Sequence, residues 1–208
     1  MRLTSAKTER KAIYAVDPIF INRWSPRSMT GEPIEKEELM ALFEAAHWAP
    51  SSFNNQPWRF LYARRDTPQW LVYLDLLEDD NRVWARNAAV LVVIVSRKTF
   101  EKNGKPSKTH TFDAGAAWGY LALQGSMRGL AVHGMEGFDY QKAQANLGIP
   151  AEFEVHAMAA IGRQDSKEDL PKDLKAIEKP NTRKPVEEVA IEGRFGADSL
   201  THFYPERK

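Results

Sequence analysis

Ala88-Ala89-Val90-Leu91-Val92-Val93-Ile94-Val95 is the stretch on which the fold turns. It holds no charge, no polar side chain and a majority of β-branched residues, the mark of a strand buried on both faces. Upstream, Phe60 to Ala63 reads as a short apolar strand. Thr67-Pro68 then opens a helix whose Trp70, Tyr73, Leu74 and Leu77 share one face. Downstream, residues 97–110 are charged and contain Asn103-Gly104 and Pro106, which predicts an exposed loop. Phe112 to Arg128 follows, apolar nearly all round and rich in Ala and Gly, as a helix at the centre of a structure would be. Gly115 and Gly119 share one face of it and let another backbone approach closely, either within the chain or from a second subunit.

Further out, Ala12 to Asn22 reads as a helix leading into Arg23-Trp24-Ser25-Pro26-Arg27. A second helix runs from Pro33, with Glu35, Glu37 and Glu38 in its first turns, and Leu39, Leu42, Phe43 and Ala46 at helical spacing; Pro50 ends it. Leu130 to Met135 and Val155 to Ile161 read as strands around a short helix, Tyr140 to Leu147, that Gly148 and Pro150 stop. Gln164 to Lys179 reads as a charged loop with some helix, and Val186 to Ile191 as a last strand. Helices interleaved with strands predict a layered α/β or α+β fold, whose strand order periodicity alone leaves open. Without a repeat or a Gly/Ser/Pro linker, residues 1–208 read as one domain.

Composition narrows the function. A net charge of +1 with mixed signs lacks the basic stripe that neutralises phosphates, so neither DNA nor RNA is an expected partner. The absence of cysteine removes disulfides, thiolate metal sites and cysteine nucleophiles. No segment approaches the ~18 apolar residues of a membrane span, and Met1 to Lys7 runs into charge rather than a signal sequence, so a soluble, cytoplasmic protein is expected. His47, His110, His133, His156 and His202 show no zinc-binding spacing, and no metal is expected. There is no G-x-S-x-G, no P-loop and no G-x-G-x-x-G, so a nucleotide cofactor must be held in another way.

Four segments could carry chemistry. In Arg23-Trp24-Ser25-Pro26-Arg27, two guanidinium forks flank a hydroxyl and could grip a phosphate; the bland alternative is a solvated basic turn. Residues 48–58 (Trp-Ala-Pro-Ser-Ser-Phe-Asn-Asn-Gln-Pro-Trp) gather amides and hydroxyls that could read the edge of a flat heterocycle, or could merely satisfy a turn. His133-Gly134-Met135-Glu136-Gly137-Phe138 follows a buried strand, and its glycines would let backbone approach a ligand, although an ordinary strand-to-helix turn has the same look. Asn181-Thr182-Arg183-Lys184-Pro185 adds a late basic pair, either phosphate-directed or solvated.

In this order the four segments resemble the FMN-dependent nitroreductase family, over roughly Ile19 to Ile191, with residues 49–60 and then Glu136-Gly137-Phe138-Asp139 most specific. The resemblance implies an α+β fold, a three-layer α/β/α arrangement with a mostly antiparallel central sheet. It also implies an intertwined homodimer in which residues 186–191 cross to the partner's sheet. It implies that Arg23, Ser25 and Arg27, helped by Arg183, bind the phosphate and ribityl chain of FMN, with Trp24 contributing backbone or packing. Pro50, Ser51, Ser52, Asn54 and Gln56 would reach the flavin of the partner subunit, and the Met135-Glu136-Gly137 backbone would line the ring near N5. Asn181 stands where many members carry Lys or Arg. The implied activity is ping-pong hydride transfer from NAD(P)H to a nitroaromatic, quinone or similar small acceptor, so that no acid–base dyad is required. A specialised member of the fold (a reductive dehalogenase, an enone reductase or a flavin-destroying enzyme) and a flavin-binding storage protein are the alternatives.

Overall fold

The computed structural model describes residues 10–195. Its four strands are β1 (Trp58–Arg64), β2 (Val90–Arg97), β3 (Leu130–Met135) and β4 (Phe153–Arg163). They form one sheet in the order β1-β2-β4-β3, and every neighbouring pair is antiparallel. The uncharged run quoted at the outset lies on β2, at the centre of the sheet, where both faces are covered.

Alternation along β2 divides the core in two. Val90, Val92 and Ile94 point to one face and meet α2 (Lys36–His47) through Leu39, Leu42 and Ala46, and α5 (His110–Met127) through Ala114, Ala117, Leu121 and Ala122. Leu91, Val93 and Val95 point to the other face. There they meet α3 (Trp70–Leu76) through Trp70, Tyr73 and Leu76, α4 (Asp79–Ala85) through Trp84 and Ala85, and α6 (Tyr140–Asn146) through Ala143. The three-layer α+β arrangement is therefore observed, with the period of two on the central strand assigning each helix its layer.

The helix expected over Ala12 to Asn22 shrinks to α1 (Pro18–Asn22), because proline fits only the first turn and Asp17 caps it by accepting from Ile19 N at 2.9 Å. Helix α4 has no counterpart among the expected elements; Glu78-Asp79-Asp80 at its start is the signal that marks it. Residues 164–179 contain a 3₁₀ turn and α7 (Lys172–Ile177), as a loop with some helix. Residues 186–191 are not a strand in the single chain. Pro185 followed by Glu187 and Glu188 starts a short helix, α8 (Val186–Val189), which is not part of the sheet.

Helix α5 sits on the sheet along one side only. A Cβ on Gly125 would come within 2.4 Å of Val132 Cγ2, so the helix axis lies as close to β3 as backbone allows. Nothing lies within 4 Å of a Cβ built on Gly115 or Gly119, and elsewhere on the helix Phe112, Tyr120 and Met127 are exposed. The apolar surround of this helix thus exceeds what its own chain buries.

Candidate active site

A cavity of about 650 Å³ opens between α5, the ends of β3 and β4, and the turn that follows α1. Ile94 and Ala157 supply its floor from β2 and β4, and Ala114, Gly115, Trp118 and Gly119 its wall from α5. Gly134, Met135 and Glu136 form one rim, and Arg23 and Ser25 close an end. Its size lies within the ~300–1,000 Å³ usual for small-molecule sites. The Trp118 ring lies against Gly134, where a Cβ would be 3.0 Å from it, which keeps that wall flat.

Arg23, which lines one end of the cavity, has two further arginines near it, Arg10 and Arg183, that do not line the cavity. Arg23 Nη1 donates to Ser25 Oγ at 3.3 Å. Arg10 donates from Nε to the carbonyl of Asn181 at 2.6 Å, and from Nη1 to the carbonyls of Ile21 and Arg23 at 3.1 and 2.9 Å. Burial holds the Arg23 guanidinium below its ordinary value, and the neighbouring Arg183 adds to the effect. Arg10 is shifted the same way by burial, then by Arg183 and Arg23. Three guanidiniums that repel one another mark a place where an anion is favoured. Sequence reading found Arg23 and Arg183 but missed Arg10, because only folding brings it to Asn181, 171 residues away.

Arg27 has a different position from the one expected. Its guanidinium faces Glu178, with Nη1 3.7 Å from Oε2, and it is not among the residues lining the cavity. Glu178 is buried, and its Oε1 accepts from the backbone N–H groups of Arg27 and Ser28 at 2.6 and 2.9 Å. The turn is also held by His133, whose Nδ1–H donates to the carbonyl of Pro26 at 3.0 Å while its ring packs on Trp84 at 4.6 Å. Burial is the main cause that pushes the His133 imidazole down to about 4; the nearby Arg27 and Arg23 add to it, and the backbone contacts at Pro26 and Ser25 oppose it.

Of the other expected residues, Ser25, Met135 and Glu136 line the cavity, whereas Trp24 and Gly137 do not. Gly137 instead packs under α4, its carbonyl accepting from Glu78 N and Asn81 Nδ2 at 3.2 and 3.0 Å. None of Pro50, Ser51, Ser52, Asn54 and Gln56 lines the cavity of their own chain. Their loop is fixed from within: Gln56 N donates to Ser51 Oγ at 3.0 Å, and Ser52 N to Asp113 Oδ2 at 3.2 Å. Phe53, Asn54 and Gln56 hold φ of 51°, 54° and 46°, three left-handed positions without a glycine, and Phe53 is 93% exposed. Strain of this kind costs on the order of 1 kcal/mol or more per residue and tends to collect at binding loops.

A flat apolar slot with a cationic end defines a site for a planar ring that carries an anionic tail, on an α+β scaffold. A model described as the nitroreductase family matches residues 21–69. A solved oxidoreductase containing FMN is 46% identical and superposes with a TM-score of 0.87, the match covering 90% of this chain and 96% of that one. An FMN-dependent nitroreductase of Clostridium difficile is 25% identical with a TM-score of 0.59, over 73% of this chain and 88% of its own. The NADH dehydrogenase of Thermus thermophilus is 26% identical over 177 residues, 68% of this chain and 83% of that protein. The chain belongs to the nitroreductase family.

Proposed function

We propose that this protein is an FMN-dependent oxidoreductase that takes a hydride equivalent from NAD(P)H and delivers it, by a ping-pong cycle, to a small acceptor such as a quinone or nitroaromatic. Family membership makes it a flavin oxidoreductase with FMN as cofactor. The observation that carries the fuller reading is the cavity, whose apolar walls fit a planar ring and whose end, lined by Arg23 with Arg183 and Arg10 near enough to act on its charge, fits a phosphate. The fit is physical: an anion between Arg10, Arg23 and Arg183 would relieve their mutual repulsion, and the open Gly115–Gly119 face leaves the wall free of side chains. FMN, when bound, supplies two-electron chemistry that no side chain of this chain can perform.

The chain's own residues position and shield. Arg23 and Ser25 would take the phosphate and ribityl chain, with Arg183 and Arg10 completing the cationic field. Met135 and Glu136 present a strand end to the ring edge. Arg27 contributes indirectly, by fastening the turn to Glu178. A second copy of the chain would cover the exposed face of α5 and bring residues 50–56 to its partner's cavity. The outward-facing Phe53 and the loop's absence from the lining of its own cavity favour that arrangement. Exchange of residues 186–191 between subunits would belong to the assembled dimer and would require α8 to extend. Among the described residues no helix is long and apolar enough to cross a membrane.

The decisive experiment is the visible spectrum of the purified protein before and after NADH or NADPH without oxygen. A yellow protein that bleaches supports the proposal. One that stays yellow with both nicotinamides points to flavin storage or another donor. A colourless protein that cannot be reconstituted with FMN would overturn it.

A further inference from the structure

At the β4 end of the cavity lies a polar cluster that holding a ring and a phosphate does not need. The pairing of β2 with β4 slips between Ile94/Ala157 and Val95/Val155, so His156 is the extra residue of a β-bulge. A bulge re-aims the side chain it carries, and His156 lines the cavity beside Ala157. Behind it, the wholly buried Ser96 Oγ lies 2.6 Å from His156 Nε2 and 2.8 Å from His110 Nδ1, at the start of α5. The far nitrogens of both rings turn to one carboxylate. His110 Nε2 is 3.7 Å from Glu154 Oε2, and His156 Nδ1 is 4.0 Å from Glu154 Oε1. The Glu154 side chain is half exposed.

The proton inventory of this cluster is constrained. A hydroxyl has one hydrogen, so Ser96 donates to one imidazole and accepts from the other. The ring that accepts from Ser96 carries its own proton on the nitrogen facing Glu154. The other ring, when neutral, faces Glu154 with a lone pair. One added proton fills that lone pair, and rotation of the Ser96 hydroxyl with exchange of the two ring roles moves the charge between His110 and His156. Two bland roles are excluded by the geometry. No group of three His, Asp or Glu among the described residues could hold a metal ion, and Ser96 does not line the cavity as a nucleophile would.

We propose that Glu154, His110, Ser96 and His156 form a proton relay that carries a solvent proton to an acceptor held in the cavity, with His156 as the donor. The proposal rests on the cavity being a redox site. Reduction of a quinone to a hydroquinone takes two electrons and two protons. A hydride equivalent originating in NAD(P)H supplies both electrons and one proton. The second proton leaves the His156 imidazole as the product O–H bond forms; the imidazole becomes neutral, and water at Glu154 reloads the network. The groups around His156 suit this task. Burial holds its imidazole below the ordinary value, Glu154 pulls it up and His110 pushes it down, so a loaded ring gives up its proton readily. From α6 the Tyr140 hydroxyl donates to the His156 carbonyl at 3.3 Å, and Arg23 and Glu136 are the charged residues that share the cavity lining.

The test uses the FMN-loaded protein with 1,4-benzoquinone as acceptor, together with ¹⁵N-imidazole NMR across pH. In the wild type the proton occupancies of His110 Nδ1 and His156 Nε2 should be complementary, and Ser96→Ala should break that link. His156→Gln should slow the acceptor-dependent half-reaction by ~10²-fold and abolish its rise toward acid pH, a size typical for loss of a general acid. Ser96→Ala should displace that same limb. Uncorrelated occupancies in the wild type would overturn the relay without any variant being made. So would variants that bleach with NADH and then react with quinone at the wild-type rate and pH profile. A protein that takes up no FMN overturns the cavity reading first, and the delivery role with it.

Discussion

His133 shows how a single buried side chain couples the sheet to the binding turn. Its Nδ1–H supports Pro26, and its folded-state ionisation near 4 lies well below the ordinary 6.5. Between those values the unfolded chain binds a proton that the folded chain refuses. The contribution is therefore complete above about pH 6.5, is lost as pH falls toward about 4, and changes no further below that. Its full size is on the order of 3 kcal/mol. Urea unfolding at pH 7 and at pH 5 should show a larger acid loss in the wild type than in His133→Gln; equal losses would remove His133 as the cause. Arg23 and Arg27 part company at this scale too. Arg23→Ala removes a cavity-lining guanidinium and should weaken FMN binding by ~10–100-fold, the worth of a charge-assisted contact of roughly 1.5–3 kcal/mol. Arg27→Ala acts only by loosening the turn, so fluorescence titration with FMN should give the smaller loss.

Helix α5 is the element that both packs and presents. Its Gly125 meets Val132 so closely that Gly125→Ala forces the helix and β3 apart. The expected cost is about 1–3 kcal/mol, read as a fall of several degrees in thermal midpoint. Elsewhere in the chain, element identity followed local chemistry. Proline set the start of α1, and the Pro185-Val186-Glu187-Glu188 sequence made α8 a helix where a last strand was expected. The 164–180 segment has little regular structure, yet through Glu178 it pins the Arg23–Arg27 turn. Such a buried carboxylate cannot be told from a solvated one in a charged stretch until its partners arrive from 150 residues away.

For the whole molecule, the open face of α5 predicts the assembly. Phe112→Glu should be accepted by the isolated fold, since Phe112 is exposed on α5 and does not line the cavity, yet should break a dimer that packs on that face. Sedimentation should find the wild type dimeric and the variant monomeric, with far-UV dichroism unchanged and FMN retention reduced. A variant that stays dimeric and yellow would place the interface elsewhere.

The sequence by itself determined the character of the central strand, the types of most elements, and the turn, loop and strand end that mark the family. Those properties depend on side-chain period and on punctuation by proline and glycine, which act within a few residues. Only the tertiary structure decided that Arg10 joins Arg23 and Arg183, that Arg27 turns to Glu178, and that a bulge aims His156 into the cavity beside a shared serine. Each of these is a meeting of residues far apart in the chain. It is set by strand register and helix placement, and no local pattern of residues records it.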